Sequence, residues 1–166
     1  VDVAGLVVST LNLSDADFLA GRYRLGPAAE VLAGEGRIVN QGELRTASGG
    51  RVALLASAAG VANEGLIETP GGQVMLAAGH QIELVDTQAP HLALRVIAPA
   101  GEALNLGRVI APAGRIDVQA AIVNQQGVMR ADALAVTCSS GRVDEVRICF
   151  NKDLSFRACG EIDRGG

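Results

Sequence analysis

One pattern restricts this 166-residue chain more than any other: the chain repeats itself. Four segments echo one another: "IVNQGELRTASGGRVALLA" from Ile38, "VANEGLIETPGGQVMLAAG" from Val61, "ALNLGRVIAPAGRIDVQAA" from Ala103 and "IVNQQGVMRADALAV" from Ile122. Each opens on aliphatics and an Asn, places Gly two or three residues later, and returns to a short aliphatic pair. In the first three a small-Gly turn follows ("SGG", "PGG", "PAG"), then an alternating strand. The recurring pairs are Asn40/Gly42, Asn63/Gly65, Asn105/Gly107 and Asn124/Gly127. The asparagines lie 23, 42 and 19 residues apart, which reads as one, two and one periods of about 21. The missing middle rung falls near residues 80–98, which keep strand alternation ("IELV", "LALRV") without the Asn-Gly mark.

Short aliphatic runs set between Gly- and Pro-containing turns read as strands. Hairpins do not account for them, because the Asn-Gly unit occurs once per repeat and not between every strand pair. A coil with one repeat per turn does. Strands of successive turns then stack in parallel about 4.8 Å apart, with equivalent aliphatics in continuous columns. Asparagine tolerates the backbone of a tight corner, stacked side-chain amides bond from rung to rung, and glycine permits the sharp turn. The eight corner residues are therefore read as a structural ladder and not as a ligand site. A β-sandwich also has short strands at regular spacing, but it leaves the self-similarity unexplained. Composition agrees with a narrow, repeating cross-section: 49% of residues are hydrophobic, yet only 2% are aromatic and tryptophan is absent.

The formal charge of −4 is spread thinly, without the basic stripe a nucleic-acid surface needs. No stretch reaches the roughly 18 apolar residues of a membrane span. The opening "VDVAGL" lacks the basic and apolar regions of a signal peptide and starts in mid-pattern, so Val1 is read as an internal residue of a longer chain. His80 and His91 bracket Glu83 and Asp86, but no metal-ligand spacing is recognisable, and they read as surface loop residues. Asp15 and Asp17 form a carboxylate pair that a helix start explains without catalysis. "NLS" at Asn12 fits a glycosylation acceptor pattern, but the Asn is read as serving the backbone. "GEG" at 34–36 lacks the context of a dinucleotide loop. No Asp/Arg/Lys cluster on adjacent rungs suggests a polysaccharide lyase. No catalytic, cofactor-binding or metal-binding residue is assigned.

One stretch departs from the β pattern. In "STLNLSDADFLAG", Ser14 can cap a helix, Asp17 can close a capping box, Leu13 can staple to Phe18, and Gly21 supplies the stop. About six residues lie between these signals, too few for a helix that stands alone. The turn is read as a decoration held by the early rungs, covering an otherwise open strand edge.

The blocks "VAGLVVSTLNLSDADFLAGRY", "IVNQGELRTASGGRVALLA" and "VANEGLIETPGGQVMLAAG" together resemble the amino-terminal secretion domain of two-partner-secretion exoproteins. These are the filamentous-haemagglutinin-like adhesins and the contact-dependent inhibition proteins. The resemblance covers roughly residues 1–136. It implies a right-handed parallel β-helix, exported through the periplasm of a Gram-negative bacterium by an outer-membrane barrel transporter. It also implies a secreted or cell-surface location and a role in adhesion to, or toxin delivery into, host or neighbouring cells. The family's Asn-Pro-Asn-Gly motif would lie just upstream of Val1.

All three cysteines, Cys138, Cys149 and Cys159, fall in the last 29 residues, so 1–137 and 138–166 are read as separate parts. "VDEVRICF" and "LSFRAC" read as a hairpin joined by "NKD". A short-loop disulfide between Cys149 and Cys159 fits an oxidising compartment and leaves Cys138 unpaired. Glu145, Val146, Cys149, the turn at Asn151–Asp153 and Cys159 resemble the carboxy-terminal end of the secreted acid ribonucleases of the T-two family. That family's histidine boxes are absent, so no ribonuclease activity is expected. The alternative reading is a remnant of such a ribonuclease or of a nuclease toxin.

Overall fold

The computed structural model describes residues 2–26, 36–86, 91–138, 143–144 and 154–156. The chain opens with β1 (Asp2–Ser9), β2 (Asn12–Leu13), helix α1 (Asp15–Leu19), β3 (Tyr23–Gly26), β4 (Ile38–Asn40) and β5 (Glu43–Ala56). Next come β6 (Val61–Asn63), β7 (Leu66–Glu68), β8 (Gln73–Ala78), β9 (Ile82–Val85), β10 (Ala93–Val96) and β11 (Glu102–Asn105). The last elements are β12 (Arg108–Ala120), β13 (Ile122–Gln125), β14 (Val128–Cys138), β15 (Val143–Asp144) and β16 (Leu154–Phe156). The architecture is all-β, in keeping with a β-helix-type domain.

Two sheets are parallel throughout. A five-stranded sheet runs β15-β13-β11-β6-β4, and a seven-stranded one runs β1-β5-β7-β12-β14-β16, with β8 pairing both β5 and β12. Each repeat places a short strand in the first sheet, turns at the Asn-Gly corner, and continues in the second. Equivalent residues stay in register from rung to rung because differences in length are absorbed at the corners, as between Ala111 and Arg115. Leu6, Val52, Val74, Ile116 and Leu134 stack in one column, and Val8, Leu54, Leu76, Val118 and Val136 in the next. From Val52 and Leu54 onward these residues are buried in the main core, where each contributes about 1.5–3 kcal/mol of hydrophobic stabilisation.

The third sheet is antiparallel, in the order β10-β9-β3-β2, and lies on the outside of the seven-stranded sheet. Leu11, Leu25, Ile82, Leu84 and Leu94 pack on Ala53, Leu55, Met75 and Ala77 in a second core. This explains why "VALLA" and "QVMLAA" abandon alternation. Residues 52–56 and 73–78 are all buried because both faces of their strands are covered.

Two expectations are corrected. First, the interval between Asn63 and Asn105 is a single step. β6 pairs directly with β11, setting Asn63 against Asn105, while β9 and β10 leave the stack for the antiparallel layer. Their one-sided apolar alternation suits that layer. In the tail, β15 adds in parallel to β13 and β16 adds in parallel to β14, so each extends a different sheet; the residues that would pair across the expected turn at 151–153 lie outside the described residues. Second, α1 joins β2 to β3 on the antiparallel layer and buries none of its residues. Leu13 packs into the second core and Phe18 stays 62% exposed, so the two form no staple. Cys149, Cys159, Glu145, Val146 and residues 151–153 lie outside the described residues, and Cys138 is buried at the foot of the main core.

Candidate functional site

The Asn corners are built by short strands of the five-stranded sheet, which fix each side chain over the one before it. Asn40 Nδ2 donates to Asn63 Oδ1 at 2.7 Å, Asn63 Nδ2 to Asn105 Oδ1 at 2.8 Å, and Asn105 Nδ2 to Gln125 Oε1 at 2.9 Å. The same amides cross-bond the next corner, with Asn63 Nδ2 reaching Gly65 O at 3.3 Å and Arg108 O at 3.3 Å. All donors point one way, toward the carboxy-terminal rungs. Gln125 Nε2 ends the series with no partner among the described residues.

Asn124 does not belong to this ladder. The register sets Leu104 against Asn124 and Asn105 against Gln125, so the fourth rung uses the following residue. Asn124 instead turns outward and donates to Glu102 Oε1 at 3.3 Å. Sequence alignment matched the residue type, whereas strand register selects the residue by parity. A glutamine reaches the same acceptor point with one extra methylene.

Glycine follows because the corners nest. A Cβ on Gly65 would overlap the Gly42 carbonyl oxygen, one on Gly107 the Gly65 oxygen, and one on Gly127 the Gly107 oxygen. Gly42, at the first corner, meets nothing within 4 Å. At the next corner, Gly49 and Gly71 take φ of 78° and 60°, and the equivalent position carries Ala113 at φ 55°.

A polar network that sequence reasoning missed lies where the antiparallel layer meets the seven-stranded sheet. Gln73 is fully buried and donates to Asp117 Oδ2 at 2.7 Å. Arg115 closes on the same carboxylate, with Nε at 2.7 Å from Oδ1 and 2.9 Å from Oδ2. The Asp117 hydrogen bonds raise the Arg115 pKa above its ordinary value, against the opposing effect of burial. Asp117 stands in register with Met75 and Ala53. A polar residue there is visible in sequence only once the rungs are aligned. Beside it a groove of about 350 Å³ is lined by His91, Leu92, Leu94, Arg115, Gln119 and Ala135, among others.

On the outer face of the layer, Glu83 sits opposite both Arg24 and Arg95, at 2.6 Å and 3.9 Å. His80 is exposed, while His91 is half-buried at the groove. Among the described residues, no group of three His, Cys, Asp or Glu is placed to hold a metal ion. Asn12 is exposed on β2.

At α1, Ser14 Oγ accepts the Asp17 N–H at 3.1 Å. The Asp17 carboxylate bonds the Ser14 hydroxyl at 3.0 Å and Arg22 Nε at 2.8 Å. The capping box is thus completed through the serine hydroxyl and not through its backbone N–H. Those bonds, Arg22 first and then Ser14, hold the Asp17 carboxyl below its ordinary pKa. Gly21, at φ 66°, ends the helix, with Gly21 N–H on Phe18 O and Arg22 N–H on Asp17 O. Asp15 lies in the same first turn.

No described helix is long and apolar enough to cross a membrane. The chain matches no family description and no curated protein. Among solved structures it is similar to the HMW1 secretion domain from Haemophilus influenzae, with a TM-score of 0.69 and 25% sequence identity. The match covers 90% of this chain and 41% of that one, so the chain spans less than half the length of the domain it resembles.

Proposed function

We propose that this chain is part of the secretion domain of a two-partner-secretion exoprotein, its stacked rungs wound as a right-handed parallel β-helix. The likeness to the HMW1 secretion domain across 90% of the chain carries this reading, and in-register parallel stacking supports it. The partner is an outer-membrane barrel transporter of a Gram-negative cell. The product is secreted or held at the cell surface, where the whole exoprotein serves adhesion or toxin delivery. The mechanism is physical. The chain is threaded outward unfolded, and each rung that folds outside presents amide donors which the next rung satisfies, so growth disfavours return.

The chain itself has no catalytic role in this reading. Residues 1–137 are the secretion-domain part, and 138–166 are an appendage whose strands β15 and β16 continue the two parallel sheets. The test is co-expression with the barrel transporter of the same genome, using a periplasmic signal on the full chain. Release into the medium only when the transporter is present is the expected result; equal release with and without it overturns the proposal. In an RNA-cleavage assay no turnover is expected. Turnover abolished by His80→Ala or His91→Ala would contradict the non-catalytic reading.

A further inference from the structure

Two columns on the covered face of the seven-stranded sheet change character at β12. In one, Ala53 of β5 and Met75 of β8 are followed by Asp117; in the next, Leu55 and Ala77 are followed by Gln119. The antiparallel layer packs Leu25, Ile82, Leu84 and Leu94 on the four apolar members. At β12 its attachment passes from apolar burial to hydrogen bonds. Gln119 Nε2 donates to Leu94 O at 2.8 Å, and its Oε1 accepts the Val96 N–H at 3.0 Å. Gln73, fully buried on β8, donates to Leu92 O at 2.8 Å and accepts the Leu92 N–H at 2.9 Å. Its amide also donates to Asp117 at 2.7 Å, so the same group ties the layer to both rungs.

A stack of rungs is otherwise held only between neighbours, so that one rung can part from the next without disturbing those further along. β8 pairs with β5 on one side and β12 on the other, whereas β5 and β12 are not paired with each other. The layer spans all three, burying side chains of β5 and β8 and bonding to β12. Its own strands come from both sides of β5 in the sequence, β2 and β3 before it, β9 and β10 after it. We infer that the antiparallel layer is a strap that makes the rungs of β5, β8 and β12 open as one cooperative unit, and that Gln73 and Gln119 are its fastening. Without them residues 92–96 hold to the fold only through β9 and their apolar contacts, and the layer can lift while the rungs stay stacked. On the export route proposed above, a chain folded as far as β12 then resists return as a block. That consequence rests on the two-partner reading; the strap itself is a property of the folded chain.

Native-state amide exchange of the full chain at rising, sub-denaturing urea separates one opening from another. In the parent, the protected amides of β9 and of β12 should exchange through a single opening with a single urea dependence. With Gln73→Ala and Gln119→Ala, the β9 amides should accelerate at least tenfold more than those of β12 and lose part of their urea dependence. Acceleration of both strands by the same factor, or of neither, overturns the strap. So do separate openings for β9 and β12 in the parent. Should the double variant fail to fold, Gln119→Ala alone, which keeps the bond from Gln73 to Asp117, decides by the same comparison: greater acceleration at β9 than at β12 supports the strap, and equal or no acceleration overturns it.

Discussion

Asn63→Ala removes the centre of the amide ladder. Asn63 is fully buried and makes two side-chain amide bonds, accepting from Asn40 at 2.7 Å and donating to Asn105 at 2.8 Å. The alanine leaves Asn105 Oδ1 without its donor and Asn40 Nδ2 with only the 3.5 Å contact to Leu66 O. A buried group deprived of its partner costs about 1–3 kcal/mol, so two give a loss of about 2–6 kcal/mol. Asn124→Ala, on the neighbouring but outward-facing position, should cost within about 0.5 kcal/mol. Urea unfolding of both, followed by circular dichroism, measures the difference. Equal stabilities for the two variants would refute the ladder argument. Asn63→Asp adds a pH signature. The new carboxyl is buried against the Gly65 and Arg108 carbonyls and the Asn105 oxygen, which raises its folded-state pKa. Between the unfolded and folded values the native state holds the extra proton. Stability therefore falls as pH rises above the unfolded value of about 3.9, by about 1.4 kcal/mol per pH unit, until the folded pKa is passed.

Further outcomes follow from the corners and the helix. Gly65→Ala should destabilise the chain by at least about 1–3 kcal/mol through overlap with the Gly42 carbonyl, whereas Gly42→Ala should stay within about 0.5 kcal/mol; urea midpoints separate them. Ala113→Gly should raise stability by up to about 1 kcal/mol, because it relieves a left-handed alanine where the equivalent corners carry glycine. An unchanged or lower thermal midpoint would count against that strain. Asp17 has a lowered pKa, so its bonds to Arg22 and Ser14 are intact above the ordinary carboxylate range and are lost as pH falls through the lowered value. Amide exchange at Asp17 and Arg22, corrected for intrinsic rates, should accelerate only there.

The sequence was legible wherever one physical rule repeats. The Asn-Gly corners exposed the period because amide stacking and nested carbonyls demand the same two residue types on each rung. Asn40, Asn63 and Asn105 are brought together by that rule. The fourth rung was misread by one residue because Gln125 does the same chemistry with a longer side chain, and only strand parity distinguishes it from Asn124. The excursion at β9 and β10 was hidden because alternation looks the same in a parallel rung and an antiparallel layer; pairing partners decide. The sites of Gln73, Asp117 and Gln119 depend on which outward column that layer covers. A single rung does not contain this information. The helix stop and cap were legible because they are local, whereas the staple failed because Leu13 finds a larger apolar surface in the second core than Phe18 offers.

Adjacency of the rungs bearing Asn63 and Asn105 underlies the whole account, and a cysteine pair measures it directly. Glu64 and Leu106, each exposed and one residue past its Asn, should lie a single strand spacing apart, about 4.8 Å and within disulfide reach. With Glu64→Cys and Leu106→Cys, mild oxidation and peptide mapping should find the 64–106 link, whereas Gln41→Cys with Leu106→Cys, two spacings apart, should give none. A 41–106 link, or no 64–106 link in the folded protein, would contradict the stacking.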